Sequence, residues 1–281
     1  MKKILIPTDF SDNAWNAIRY GMALYKKTKC TFHLVHVSNI SAHGGGEAAM
    51  YASQDILEET LLKESIEKLD KLKNEIERLP FNAKNVFRTS AYYGFFTDRI
   101  KQEVEDRNID LIIMGTKGAT GLKAVSIGSN TGNVLTKVKC PVLAVPEKAT
   151  YQRPKEIAFP TDYHLNYDTK VLEGLKELAS MNRSAIRFLH ISKAGDELTR
   201  EQIKNQKFLG SYFSGTEHSS HTLTGKKLET AVHCFTQSRD IDLIVMVAKN
   251  LNFLQRILFR PAVEKISYHI TIPFLVLHEL E

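Results

Sequence analysis

Cysteine is scarce in this chain. Cys30, Cys140 and Cys234 are three residues in 281, too few and too scattered for a disulfide framework or a thiolate metal site. They read as isolated thiols at element ends or in cores. Long apolar runs are missing as well, and no window approaches the ~18 apolar residues of a membrane span. The short basic start is interrupted by Pro7, Thr8 and Asp9 before an apolar stretch of signal-peptide length develops. A cytoplasmic protein with no membrane partner is the expectation. Neither sign of charge dominates: the net charge of +6 is the balance of 38 basic and 32 acidic side chains. Lysines are spread among carboxylates, as over residues 57–79, and form no basic stripe with aromatics. That pattern predicts no nucleic-acid partner. Familiar catalytic and phosphate loops are absent too: there is no Gly-Lys-Ser/Thr, no Gly-x-Gly-x-x-Gly and no Gly-x-Ser-x-Gly.

What is present is repetition. Ile4-Leu5-Ile6-Pro7-Thr8-Asp9-Phe10 returns 153 residues later as Ile157-Ala158-Phe159-Pro160-Thr161-Asp162-Tyr163. Ile109-Asp110-Leu111-Ile112-Ile113-Met114 returns after 132 residues as Ile241-Asp242-Leu243-Ile244-Val245-Met246. The same offset carries Cys140-Pro141-Val142-Leu143-Ala144-Val145 onto Ile272-Pro273-Phe274-Leu275-Val276-Leu277. Two copies of one unit explain this, the second 21 residues shorter in its middle, which is 153 minus 132. The polar stretch 147–154, closed by Pro154, sets the boundary between a domain over 1–148 and another over 154–281.

Within each copy, short apolar runs alternate with helical periodicity. Residues 3–7, 31–37, 85–90, 110–115 and 142–145 read as strands; 13–27, 54–79, 97–107 and 130–138 read as helices. The second copy follows with 156–160, 168–180, 185–191, 225–239, 242–247, 261–269 and 274–277, and residues 211–220 read as loop. Strands apolar throughout and separated by helices predict an α/β fold, with a parallel sheet covered on both faces. Residues 38–52, with the triple glycine 44–46, read as a loop, because that glycine run neither ends a strand nor opens a helix.

The segment most informative about chemistry runs from Met114 through Gly115, Gly118 and Gly128 to Ser129 and Asn130. Gly-x2-Gly-x9-Gly-Ser, set between a buried strand and a helix, lets backbone approach a ligand without Cβ obstruction. It ends on free N–H groups at the positive end of a helix dipole, a natural anion site. These residues resemble the universal stress protein family, as do Pro7-Thr8-Asp9, His36-Val37 closing the second strand, and the Pro-Val-Leu-Ala-Val terminal strand. The resemblance covers nearly the whole chain as two tandem copies. It implies two tandem open parallel-sheet domains, Rossmann-like and of the adenine nucleotide alpha hydrolase-like type.

In the ATP-binding branch of that family this loop holds the phosphates of ATP, which arrives with Mg2+. The resemblance places Gly115, Gly118, Gly128, Ser129 and Asn130 at the phosphates and counts Met114 among the cofactor-binding residues. Pro7, Thr8 and Asp9 would meet adenine and ribose, with Asp9 on the ribose hydroxyls, and the Val37 backbone would meet adenine. Asp9 capping the 13–27 helix is the plainer alternative, and both roles can coexist. The resemblance further implies a homodimer and a nucleotide-regulated stress-response protein with ATP as its ligand. Ordering of the 116–127 segment by ATP would then alter the surface that partners see. No general base is positioned for fast turnover. Slow ATP hydrolysis, autophosphorylation, or a nucleotide-independent dimeric interaction module are the alternatives.

In the second copy Gly115 becomes Val247, Gly118 becomes Asn250, and Gly128-Ser129 becomes Arg260-Pro261, so ATP is not expected there. That copy serves as a packing partner, or gathers Lys249, Arg256 and Arg260 around another anion. His218 and His221, with Glu217, would suggest a metal, but residues 211–220 read as loop and no third ligand has defined spacing. His33 and His36, three apart on a strand, face opposite sides.

Overall fold

The computed structural model describes residues 1–38, 54–80, 83–116, 127–164, 167, 169–192, 195–225, 228–248 and 271–278. Gly118, the triple glycine, Asn250, Lys249, Arg256, Arg260, Pro261 and the helix expected at 261–269 lie outside them. The main division of the chain falls after Glu147 and leaves two compact units.

The first unit runs β1 (Lys2–Pro7), α1 (Asp12–Leu24), β2 (Cys30–Ser38), α2 (Gln54–Glu77), β3 (Val86–Tyr93), α3 (Phe96–Arg107), β4 (Leu111–Gly115), α4 (Ser129–Lys137), β5 (Val142–Val145). Its strands lie in the order β3-β2-β1-β4-β5, all parallel. Helices α1 and α2 cover one face and α3 and α4 the other. Both faces being covered, β4 and β5 are buried along their whole length, which is why they read as continuous apolar runs.

The second unit repeats the plan. It consists of β6 (Glu156–Pro160), α5 (Thr169–Asn182), β7 (Ala185–Ser192), α6 (Arg200–Tyr212), β8 (His218–Thr224), α7 (Leu228–Ser238), β9 (Leu243–Val247) and β10 (Phe274–Leu277). Its parallel order, β8-β7-β6-β9-β10, matches the first unit strand for strand. Its core centres on the fully buried Phe188, whose ring meets Phe159, Phe213 and His218 at centroid distances of 6.0, 5.8 and 5.8 Å.

The repeated Ile-Asp pair has a structural cause. In the first unit α3 ends on Asn108 in the left-handed region (φ 51), and Asp110 Oδ2 accepts the Lys3 N–H at 2.7 Å. In the second, Asp240 takes φ 48 and Asp242 Oδ2 accepts from the N–H groups of Lys155 and Glu156 at 2.7 and 3.0 Å. Each aspartate ties the start of the fourth strand to the start of the first. The neighbouring side chains differ between the copies. Lys3 Nζ donates to the Arg107 carbonyl at 2.8 Å, whereas Glu156 takes a two-pronged bond from Arg187 at 2.6 and 2.9 Å.

Two elements correct the sequence-based expectation. Residues 211–220 are not a loop: they hold the end of α6, a turn and the start of β8. As an edge strand half exposed in alternation, His218–Thr224 carries no apolar run. Helix α6 begins with a capping box, Thr199 Oγ1 accepting from Gln202 N–H while Gln202 Oε1 accepts from Thr199 N–H.

His33, on the α3 face of β2, is buried. Burial holds its pKa below the ordinary 6.5, and Arg107, Arg88 and Lys3 add to that against the opposing pull of Glu103. His36 and His221 are lowered in the same direction, again mainly by burial. A histidine kept neutral by folding contributes stability above its unfolded pKa, and that contribution is lost as pH falls through the folded value. Urea midpoints should therefore drop between pH 7.5 and 5.5. His33→Asn should flatten the dependence, and an unchanged slope in that variant would sink the assignment.

Candidate functional site

In the first unit β1 is followed by β2 and β3 on one side, and the chain then returns to place β4 on the other. The carboxyl ends of β1 and β4 therefore flank the point where strand order reverses, the place where open parallel sheets bind ligands. The Leu5↔Ile112 register carries Pro7 toward Met114 and Thr8 toward Gly115. Sequence-predicted site residues from distant parts of the chain thus meet at one sheet end.

Thr8 is buried, its N–H donating to the Val35 carbonyl at 2.8 Å and its Oγ1 accepting from Phe10 N–H at 3.1 Å. Asp9 Oδ1 accepts from both the N–H and the Oγ of Ser11, at 3.1 and 2.5 Å. Ser11 in turn caps α1 by accepting the Ala14 N–H at 3.2 Å. Asp9 therefore orients the cap without being the cap. Val37 lies two residues beyond Val35, the partner of Pro7 and the acceptor for Thr8. By strand alternation its peptide groups face the β1 side, past the end of β1.

At the end of β4, Met114 is buried and can offer the site only backbone. An added Cβ on Gly115 would stand 2.6 Å from Asn13 Nδ2, so glycine is required by the side chain packed over it. Thr131 Oγ1 donates to the Gly115 carbonyl at 2.8 Å. The chain leaves at Thr116 and re-enters at Gly128, whose N–H donates to the Thr116 carbonyl at 2.8 Å. Gly128 is the N-cap of α4 at φ −56, ψ 147, and among the described residues no side chain caps that helix. Ser129 and Asn130 are exposed in its first turn. Asn13, standing over Gly115, is the contributor that sequence patterning missed, since a buried asparagine on a helix carries no signature.

The corresponding turn of the second unit keeps the backbone pattern. Thr161 N–H donates to Leu189 at 2.9 Å and Tyr163 N–H to Thr161 Oγ1 at 2.9 Å. Its surroundings differ. Gln202 Nε2 donates to the Asp162 carbonyl and Asn205 Nδ2 to the Tyr163 carbonyl, each at 2.8 Å, and the Tyr167 hydroxyl bonds Thr161 Oγ1. Among the described residues no group of three or more His, Cys, Asp and Glu is placed to hold a metal, His218 and His221 included. No described helix is long and apolar enough to cross a membrane.

An open parallel sheet, covered on both faces and with a strand-order reversal between β1 and β4, defines a Rossmann-like α/β protein. Comparison narrows the class: the model for the Universal stress protein family matches residues 1–146, and the chain belongs to that family. It is 31% identical over 159 residues to the universal stress protein MJ0577 of Methanocaldococcus jannaschii, covering 52% of this chain and 96% of that one. It is 33% identical over 144 residues to MJ0531 of the same organism, covering 51% of this chain and 81% of that one. The crystal structure of a universal stress protein from Archaeoglobus fulgidus superposes with a TM-score of 0.71 at 17% identity, over 98% of this chain and 97% of that one, a likeness of fold.

Proposed function

We propose that the first unit binds one ATP, accompanied by Mg2+, and that the nucleotide regulates the chain as a stress-response protein. One observation carries the reading. The β4–α4 connection ends at the switch point on a helix N-terminus whose N-cap, Gly128, has no side chain to occupy the first-turn N–H groups. Backbone N–H groups of Ser129 and Asn130 are suited to phosphate oxygens there, while Gly128, whose own N–H holds the Thr116 carbonyl, leaves the approach clear of a Cβ. Asp9 suits the ribose hydroxyls, and the Val37 peptide suits the adenine edge. One nucleotide per chain follows, since β9 ends on a branched Val247 and the 162–163 turn already holds side chains of α6.

The test starts by denaturing the purified protein and identifying any released small molecule by mass spectrometry. MgATP is then titrated calorimetrically into wild type and Gly128→Arg. One ATP per chain, lost in the variant, is expected. No binding by wild type would overturn the reading and leave the glycine pattern as fold geometry alone. Phosphate released, or added to the protein, would instead make it a slow ATPase or autophosphorylating enzyme.

A further inference from the structure

Phe10 stands at φ 64, a left-handed conformation that costs a bulky residue energy and persists only where its surroundings impose it. Thr8 Oγ1 holds its N–H at 3.1 Å, and the ring against it is that of His36. Its Nδ1 lies 2.7 Å from the Thr8 carbonyl, and its ring faces Phe10 at 4.7 Å between centroids, tilted by 37°. A carbonyl oxygen only accepts, so Nδ1 carries the proton. One imidazole thus grips the chain on both sides of Asp9: the carbonyl before it and the aromatic ring after it. The second unit repeats both contacts and the left-handed residue. Tyr163 takes φ 58, its ring stacks on His190 at 5.2 Å, and His190 Nδ1 lies 3.1 Å from the Thr161 carbonyl.

We propose that His36 is a positioning residue that aims the Asp9 carboxylate at the ribose hydroxyls. This rests on the ATP reading above and adds to it the group that sets sugar discrimination. With Asp9 Cα located by the clasp, the two bonds from Ser11 fix the turn of the carboxylate itself. Loss of the Nδ1–H releases the Thr8 carbonyl and lets the Asp9 peptide rotate, while the phosphate end of the site, on α4, is untouched. The proton on Nδ1 is present in both the neutral and the charged imidazole, so the effect does not depend on pH.

The experiment compares ATP with 2′,3′-dideoxyATP, both with Mg2+, by calorimetry. Wild type should prefer ATP by about 10- to 100-fold, the worth of one or two hydrogen bonds to a carboxylate. His36→Phe keeps a ring against Phe10 but has no donor. Its preference should fall to within about 3-fold of unity, with dideoxyATP affinity held within about 3-fold of wild type. His36→Asn, which restores an N–H near the Nδ1 position, should recover most of the preference. A full wild-type preference in His36→Phe would overturn the proposal. Equal loss of both nucleotides in both variants would also overturn it, by showing a fold defect. Wild type binding neither nucleotide would fail the ATP reading itself, and wild type binding both equally would remove Asp9 from the ribose.

Discussion

Gly128→Asp is expected to lower MgATP affinity by at least about 100-fold while leaving the protein as stable as wild type, or more so. The two effects have opposite signs because they come from different properties of one position. Gly128 is the N-cap of α4 at dihedral angles any residue adopts, and as a glycine it brings no side-chain cap. Aspartate is a preferred N-cap, better than glycine by a few tenths of a kcal/mol, and its charge opposes the helix dipole favourably. The same carboxylate would sit where a phosphate approaches. Two unit charges 4 Å apart near a protein surface repel by about 4 kcal/mol, somewhat less with Mg2+ present. That is more than enough for two decades in affinity. Calorimetry and a thermal melt of the same sample decide it. Undiminished binding would move the phosphates away from α4.

Phe188→Ala is expected to cost the second unit about 3–5 kcal/mol, the usual range for removing a fully buried phenylalanine. Phe188 is 1% exposed and touches three other rings, so neither side of the cavity can collapse without moving another aromatic. Against a typical total of about 5–15 kcal/mol, the loss brings that unit close to unfolding. A urea midpoint lowered by about 1–3 M would match, taking the usual dependence of stability on urea. A change below about 1 kcal/mol would mean that the ring cluster is not packed as described.

The parts of this structure that sequence patterning anticipates are those where one physical demand dominates. Strands β4, β5 and β9 carry unbroken apolar runs, and β1 does so from Ile4 onward. The Asp9 turn and the Gly115 and Gly128 ends lie at strand and helix termini, where glycine, proline and short polar residues have local causes. Strand β8 escaped because an edge strand needs no apolar run, and α6 because its buried residues include the polar Gln202 and Asn205. The His36 clasp is legible only in part. Its recurrence as His190 marks a shared role, but a left-handed Phe10 arises from tertiary contact, which residue types do not encode.

The difference between Lys3 and Glu156 bears on how a chain with two such similar halves folds correctly. Each unit begins with a strand that must find its own neighbours, and the other half offers a nearly matching place. Lys3 and Glu156 occupy corresponding positions, each with its N–H on the aspartate that opens the fourth strand. If β1 settled into the slot of β6, Lys3 would lie against Arg187. Arg187 would lose its two-pronged carboxylate partner, keeping only Glu217 at 3.0 Å among its acids. Like charge and the loss of a bidentate carboxylate oppose that exchange. The Glu156–Arg187 pair is thus a contact that β6 makes in its own half and that β1, with Lys3 in the same place, does not reproduce.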